Sequence, residues 1–390
     1  MKRKILFWIF GVSYVFLLCW AFAPVRQTIK LSVLSLFGAA RSKFSAVPED
    51  IYLSTFQPHA ELIPVSMNEP LQPRFDVIEF HGHLFADRFG DPPADLAEQL
   101  KKGRIRYFVD LALFTSTLKD YQKLVEKTKQ ENVIHFVGFN WKHLRDGQSE
   151  DFGQAMARDL EELAKAGVRG VKLWKNFGLI EKTKDGKLLS MEDPRLDPVW
   201  DVCAKYKLLV AIHTADPPAF FRPVNQFNER FDELGRRPEW SFDSPDVPTL
   251  DDVLAQRDRL FKRRKDVTFV ALHFGELAHD LKRAAALLDG NPNVHLDIAQ
   301  RIDELGRQPF ATRDFLIKYQ DRILFGTDGL PDYKKIKIYW RFLETTDEYF
   351  DYYPVGGNRK GVWKIYGVHL PDSVLKKLYY NNAARLLRLQ

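Results

Sequence analysis

The chain has 390 residues, 45% of them hydrophobic, which is enough for one large buried core. Its formal net charge of +6 arises at the N-terminus: seven of the 58 basic residues lie in the first 43 positions, where there is no acid, and 52 acidic residues balance the remainder. A charge-balanced body excludes a nucleic-acid binder that relies on a basic surface, and two cysteines, Cys19 and Cys203, exclude a disulfide framework.

Residues Ile5 to Ala23 are almost continuously apolar. At about 1.5 Å per residue they approach the roughly 30 Å hydrocarbon core of a bilayer. They read as a transmembrane anchor over residues 1–24, with a cleaved signal peptide as the competing reading; Pro24 directly after Ala21-Phe22-Ala23 is poorly suited to cleavage. The denser basic cluster, Lys2, Arg3 and Lys4, precedes the segment. The expected localisation is therefore a single-pass membrane protein with an extracytoplasmic body. Within residues 25–75, Ile29, Val33, Phe37, Ala40 and Phe44 recur at near-helical spacing. They suit a helix on the membrane surface or one packed on protein. Five prolines between 45 and 75 then predict an extended linker.

From residue 76 to 390, short β-branched and aromatic runs alternate with longer segments of helical period. The predicted strands are Asp76–Phe80, Arg104–Leu111, Val133–Asn140, Val168–Trp174, Leu208–His213, Val267–His273, Val294–Ala299 and Ile323–Thr327. Predicted helices are Ala94–Lys102, Lys119–Gln130, Asp151–Ala166, Asp197–Lys207, Leu250–Lys265, Glu276–Leu288, Arg313–Tyr319 and a last one, Pro371–Leu387. This alternation is the pattern of an α/β protein, a (β/α)8 TIM barrel with an N-terminal transmembrane helix. The long links Thr214–Thr249 and Gly329–Leu370 would carry substrate recognition.

Metal-ligand side chains sit where the predicted strands end. His81 and His83 follow the first strand, His213 closes the fifth, His273 closes the sixth and Asp328 follows the eighth. Residues i and i+2 of an extended segment point the same way, so His81 and His83 can face one ion across Gly82. A parallel barrel presents all its strand ends on one face, so segments far apart in sequence can converge on one divalent ion. Zinc is the default for a nitrogen-rich set with one carboxylate, as one or two ions; manganese or iron would also suit it.

Phe80-His81-Gly82-His83, Ala211-Ile212-His213, Ala271-Leu272-His273-Phe274-Gly275 and Leu324-Phe325-Gly326-Thr327-Asp328 resemble the amidohydrolase superfamily. Within it they are similar to the amidohydrolase-related branch that includes aminocarboxymuconate semialdehyde decarboxylase. The resemblance spans about residues 76 to 387. It implies that His81, His83, His213 and Asp328 bind metal, with His273 either a second-metal ligand or an acid/base. It also implies that Lys172, at the fourth strand end, is a carboxylated bridging ligand where two ions are present. The residues themselves leave Lys172 open between that role, a substrate-binding cation and a structural lysine.

The expected function is a metal-dependent hydrolase, with metal-activated water attacking a C–N, C–O or lactone bond of a small substrate. Asp328 would move the proton and His273 would stabilise the developing negative charge. A metal-dependent decarboxylase of the same fold is the alternative, and a non-enzymatic membrane scaffold a distant third. Lys175 and Arg222 are candidates to bind a substrate carboxylate and Trp174 to stack on an aromatic ring; Asp297 could orient a ligand. The partners are thus a carboxylate-bearing small molecule and the membrane, with self-association into a homo-oligomer left open.

Overall fold

A computed structural model describes residues 51–52, 61–63, 68–130, 132–145, 151–354 and 360–389. Its main compact unit begins at Ile63. Eight parallel strands lie in the order of the chain: β1 (Val77–Gly82), β2 (Ile105–Ala112), β3 (Val133–Val137), β4 (Gly170–Leu173), β5 (Leu209–Ile212), β6 (Thr268–Ala271), β7 (Val294–Asp297) and β8 (Ile323–Leu324). Each pairs with the next. The ring closes where the Phe80 amide donates to the Phe325 carbonyl at 3.0 Å and the Asp328 amide to the His81 carbonyl at 2.7 Å. The fold is a (β/α)8 barrel.

Side-chain alternation sorts each strand into an inward and an outward set. On β5, Leu209 and Ala211 face the interior cluster; on β6 Val270 does so, as does Leu272 just after it. Their neighbours Val210, Ile212, Phe269 and Ala271 pack outward under the helices. The outer ring includes Leu96–Lys102, Leu118–Thr128, Phe152–Lys165, Asp197–Tyr206, Leu250–Arg263, Leu281–Gly290 and Pro309–Lys318. Thr249 starts one of these helices with a reciprocal capping box with Asp252.

Three boundaries differ from the sequence reading. The β3 pairing ends at Val137, because the Gly138 amide turns to the Thr115 carbonyl. His273, Phe274 and Glu276 adopt positive φ, so the helix after β6 starts only at Leu281. The link after Asp328 contains a further helix, Tyr333–Glu344, capped by Asp332.

The expected membrane localisation is corrected: among the described residues no helix is long and apolar enough to cross a membrane. The proposed anchor Ile5–Ala23 and the amphipathic stretch Thr28–Phe44 lie outside the described residues. Near the end of the linker, the Asn68 amide donates to Asp347 and the Arg74 amide to Glu344. Cys203 is a free, buried thiol pushed up to about 12 by burial.

Candidate active site

Five of the strand-end residues singled out in the sequence meet at one end of the barrel. One potential ligand atom from each of His81, His273 and Asp328 lies within 4.8 Å of the others. His83 Nε2 is 3.2 Å from Asp328 Oδ1, and His81 Nε2 is 3.4 Å from the same oxygen. The His213 ring packs edge-on against His273 with centroids 4.1 Å apart, but its Nε2 meets the Ala215 carbonyl at 2.7 Å.

The chain brings these groups together through close backbone approach. A Cβ on Gly82 would lie 2.0 Å from the Phe108 ring, and one on Gly326 would lie 2.6 Å from the His81 Cβ. Glu79 fastens the two strand ends, since its Oε1 accepts from the His81 amide at 3.1 Å and the Thr327 amide at 2.9 Å. Burial pushes this carboxyl up to about 8.

Each imidazole of the cluster has one nitrogen committed. His81 Nδ1 is held by Asp297 Oδ2 at 2.6 Å, His83 Nδ1 by the Leu111 carbonyl at 3.0 Å and His273 Nδ1 by the Ala299 carbonyl at 3.0 Å. Asp297 also accepts from the His273 amide at 2.6 Å. A carbonyl or carboxylate acceptor on one ring nitrogen leaves the other with its lone pair, the arrangement found at metal-binding histidines. His81 Nε2 is buried and has no hydrogen-bond partner. The donor set therefore fits a divalent ion.

Electrostatics agree with that fit. Burial holds His81 and His213 below the ordinary imidazole range, His213 at about 4, and puts His273 well below it. All three are neutral near pH 7, the form that ligates. Burial alone would raise Asp328, but His81, His83 and His273 outweigh it and keep the carboxylate ionised.

The cluster opens into a cavity of about 510 Å³. Phe85, Phe114, Trp174, Phe220 and Trp240 form aromatic walls, and Lys172 reaches it from β4. Lys175 also lines the cavity, where it pairs with Asp216 and lies 5.4 Å from the centre of the Phe242 ring. Arg222 does not line it and is exposed. The sequence reading missed Arg88, Arg230, Arg301 and Lys360, which do line it. Arg230 binds Asp303 at 2.8 Å as well as Glu233 and Glu304, Arg301 binds Glu276 at 2.5 Å, and Lys360 binds Asp303 at 3.0 Å. Apart from their charge these residues carried no signal, because all sit beyond strand ends, where tertiary packing decides what they face. His135, outside the strand-end pattern, pairs with Asp110 at 2.7 Å at the cavity edge.

Among curated proteins none matches the chain. Solved structures similar to it include 2,6-dihydroxybenzoate decarboxylase from Rhizobium, with 14% identity, a TM-score of 0.48, and coverage of 80% of this chain and 99% of that one. Another is a dihydroxybenzoic acid decarboxylase from Polaromonas sp. JS666 with bound manganese, at 14% identity and a TM-score of 0.49, covering 80% of this chain and 97% of that one. An amidohydrolase from Burkholderia multivorans with bound zinc has 11% identity and a TM-score of 0.46, covering 81% of this chain and 100% of its own. Residues 72–389 match the sequence profile described as amidohydrolase, a span from just before β1 to the last helix; the chain belongs to this family of metal-dependent enzymes.

Proposed function

We propose that the protein is a metal-dependent decarboxylase of a small aromatic or otherwise flat, unsaturated carboxylate. The observation that carries this reading is a convergent ligand cluster, the one such cluster among the described residues, beneath an aromatic-walled, cation-lined cavity. His81, His83, His273 and Asp328 would hold the ion, with zinc or manganese suited to the donors, and His213 alongside. Once bound, the ion supplies positive charge that stabilises negative charge developing on the substrate.

The chain's own residues account for the rest. Phe85, Trp174 and Trp240 offer faces on which a flat ring can stack, and its entry displaces water from around the carboxylate, which favours carboxylate loss. Breaking the bond to the carboxylate releases carbon dioxide and leaves the electron pair on carbon, which then needs a proton. Asp328 enters the cycle ionised, so it first takes up a proton, from water or from an acidic hydroxyl of the substrate, and then delivers it to that carbon. His273, held neutral and with its Nδ1 on the Ala299 carbonyl, keeps the Nε2 lone pair for the ion.

Hydrolysis through metal-activated water is the second reading. It is favoured by the Asp328 side chain, which is 31% exposed beside His83 and so open to water. A two-ion hydrolytic centre has less support, because the ligand atoms that lie within 4.8 Å of one another among the described residues, from His81, His273 and Asp328, form one set. Metal per chain and headspace carbon dioxide, measured on protein loaded with zinc or manganese and offered aromatic carboxylates, test the proposal. About one ion with stoichiometric carbon dioxide is expected. Two ions, with hydrolysis of an ester or amide panel and no carbon dioxide, would replace it with the hydrolase reading.

A further inference from the structure

Lys172 stands on the inward face of β4, two residues after Gly170, while Val171 and Leu173 between and beyond them pack outward. Its side chain is 2% exposed and lines the cavity beside the ligand cluster. Among the described residues no side chain pairs with it; the charges it feels, those of Asp328, Asp297 and Glu276, act at longer range.

A buried ammonium without a direct partner costs several kcal/mol, so buried lysines are ordinarily paired. The three carboxylates around Lys172 have closer partners. Asp297 is taken by His81 and by the His273 amide. Glu276 is taken by Arg301 at 2.5 Å. Asp328 is shared by His81 and His83. Three other cavity cations are already satisfied: Lys175 by Asp216, Arg301 by Glu276, and Lys360 by Asp303. Arg230 has three acidic partners of its own. Lys172 differs from these four in having no acidic side chain paired with it among the described residues.

We infer that Lys172 is the specificity-determining receptor for an anionic group of the substrate, a carboxylate that forms a direct ion pair with its ammonium while the attached ring lies between the aromatic walls. This rests on the reading of the site as one that takes a carboxylate, and it goes further by naming the residue and the charge it selects. The long aliphatic stem, ending in an ammonium, suits the task. A lysine delivers a compact point charge with three donors, which fits a carboxylate bound within the cavity. The aromatic walls lower the local dielectric and so strengthen the pair.

The test is equilibrium binding without turnover. Benzoate and its neutral counterpart benzamide are titrated against metal-loaded full-length protein, followed by the fluorescence of Trp174 and Trp240, which line the cavity. The wild type is expected to bind benzoate about thirtyfold or more tighter than benzamide, the ratio that a buried charge pair sustains. Lys172→Met keeps most of the stem and removes the charge. It is expected to bring the two ligands within about threefold of each other while metal per chain stays unchanged. Unchanged preference for benzoate in Lys172→Met would overturn the assignment, as would loss of a second equivalent of metal, which would make Lys172 a bridging ligand. Equal affinity of the wild type for the two ligands would by itself overturn the assignment, whether or not the variant folds. Absence of carbon dioxide release together with a lysine-dependent preference would remove the decarboxylase reading and leave the receptor standing.

Discussion

His295 shows that a histidine on a strand is not thereby a metal ligand, and its surroundings explain what it does instead. It lies on β7 two residues before Asp297 and is buried, yet its Nδ1 has no hydrogen-bond partner and it takes no part in the ligand cluster. Burial, aided by the Arg322 and Arg385 charges, pushes it down to about 3. The folded protein therefore keeps this ring neutral while the unfolded chain protonates it near pH 6.5. Below that pH the unfolded state binds more protons, so stability falls as pH drops from about 6.5 towards 3, by at most about 1.4 kcal/mol per pH unit from this group. Replacing His295 by Leu should flatten that decline in metal-free protein. His213 and His273 keep part of it, because they too are neutral when folded. Thermal unfolding at pH 7, 6 and 5 measures the difference. An identical pH dependence in the variant would mean that His295 is solvated. The same contrast explains what the sequence could show of the site. Histidines and an aspartate at strand ends announce themselves by type and place, whereas nothing local distinguishes the cavity-lining Arg230 from the exposed Arg222 eight residues earlier.

The decisive contact between elements is β1 against the short β8. The eighth strand was expected over Ile323–Thr327, but ladder pairing covers only Ile323–Leu324. Beyond it the chain is held by the Glu79 carboxyl and by the His81 carbonyl, and Asp328 adopts a φ of 61°. Period-2 alternation reveals strands but not a side chain that replaces a ladder bond. The helix Tyr333–Glu344 was passed over for a different reason. Its buried Ile336, Tyr339, Trp340 and Leu343 follow helical spacing after the Asp332 cap, so the signal was present inside what read as one long link. Just past β8, a Cβ on Gly326 would lie 2.6 Å from the His81 Cβ. Gly326→Ala should force the two apart, costing about 1–3 kcal/mol and weakening metal retention more than a surface change of equal cost. Chelator-competition affinity and denaturant unfolding, compared with a destabilised variant far from the site, measure both. Unaltered metal affinity would show that the close approach serves packing alone.

At the scale of the molecule, the two ends of the barrel do different work. The lower end is filled by the interior cluster of Ile78, Phe80, Val109, Leu209 and Leu324, against which Ala383 and Leu387 of the last helical segment pack. Asn382 ties that segment to the Gln320 and Ile323 carbonyls at 2.7 and 2.8 Å. The upper end has no such plug. Its centre is a group of polar side chains from β1, from the turns after β6 and β8, and from Lys172 on β4, several of them buried and held by long-range contacts. Buried imidazoles with uncommitted nitrogens leave that end incompletely satisfied, and an ion binding only the folded arrangement links strand ends about 250 residues apart in the chain. Mass action then makes stability depend on the ion. At a free concentration a hundred times its dissociation constant, a single site adds about 2.7 kcal/mol. Full-length protein should therefore melt at a higher temperature with added zinc or manganese and at a lower one after chelation. The combined His81→Ala and His83→Ala variant should remain folded yet show no response to either treatment. A variant that still melts higher with metal would place the ion elsewhere. A wild type indifferent to chelation, with no metal in elemental analysis, would mean that the cluster is satisfied without an ion, and the catalytic reading would fall with it.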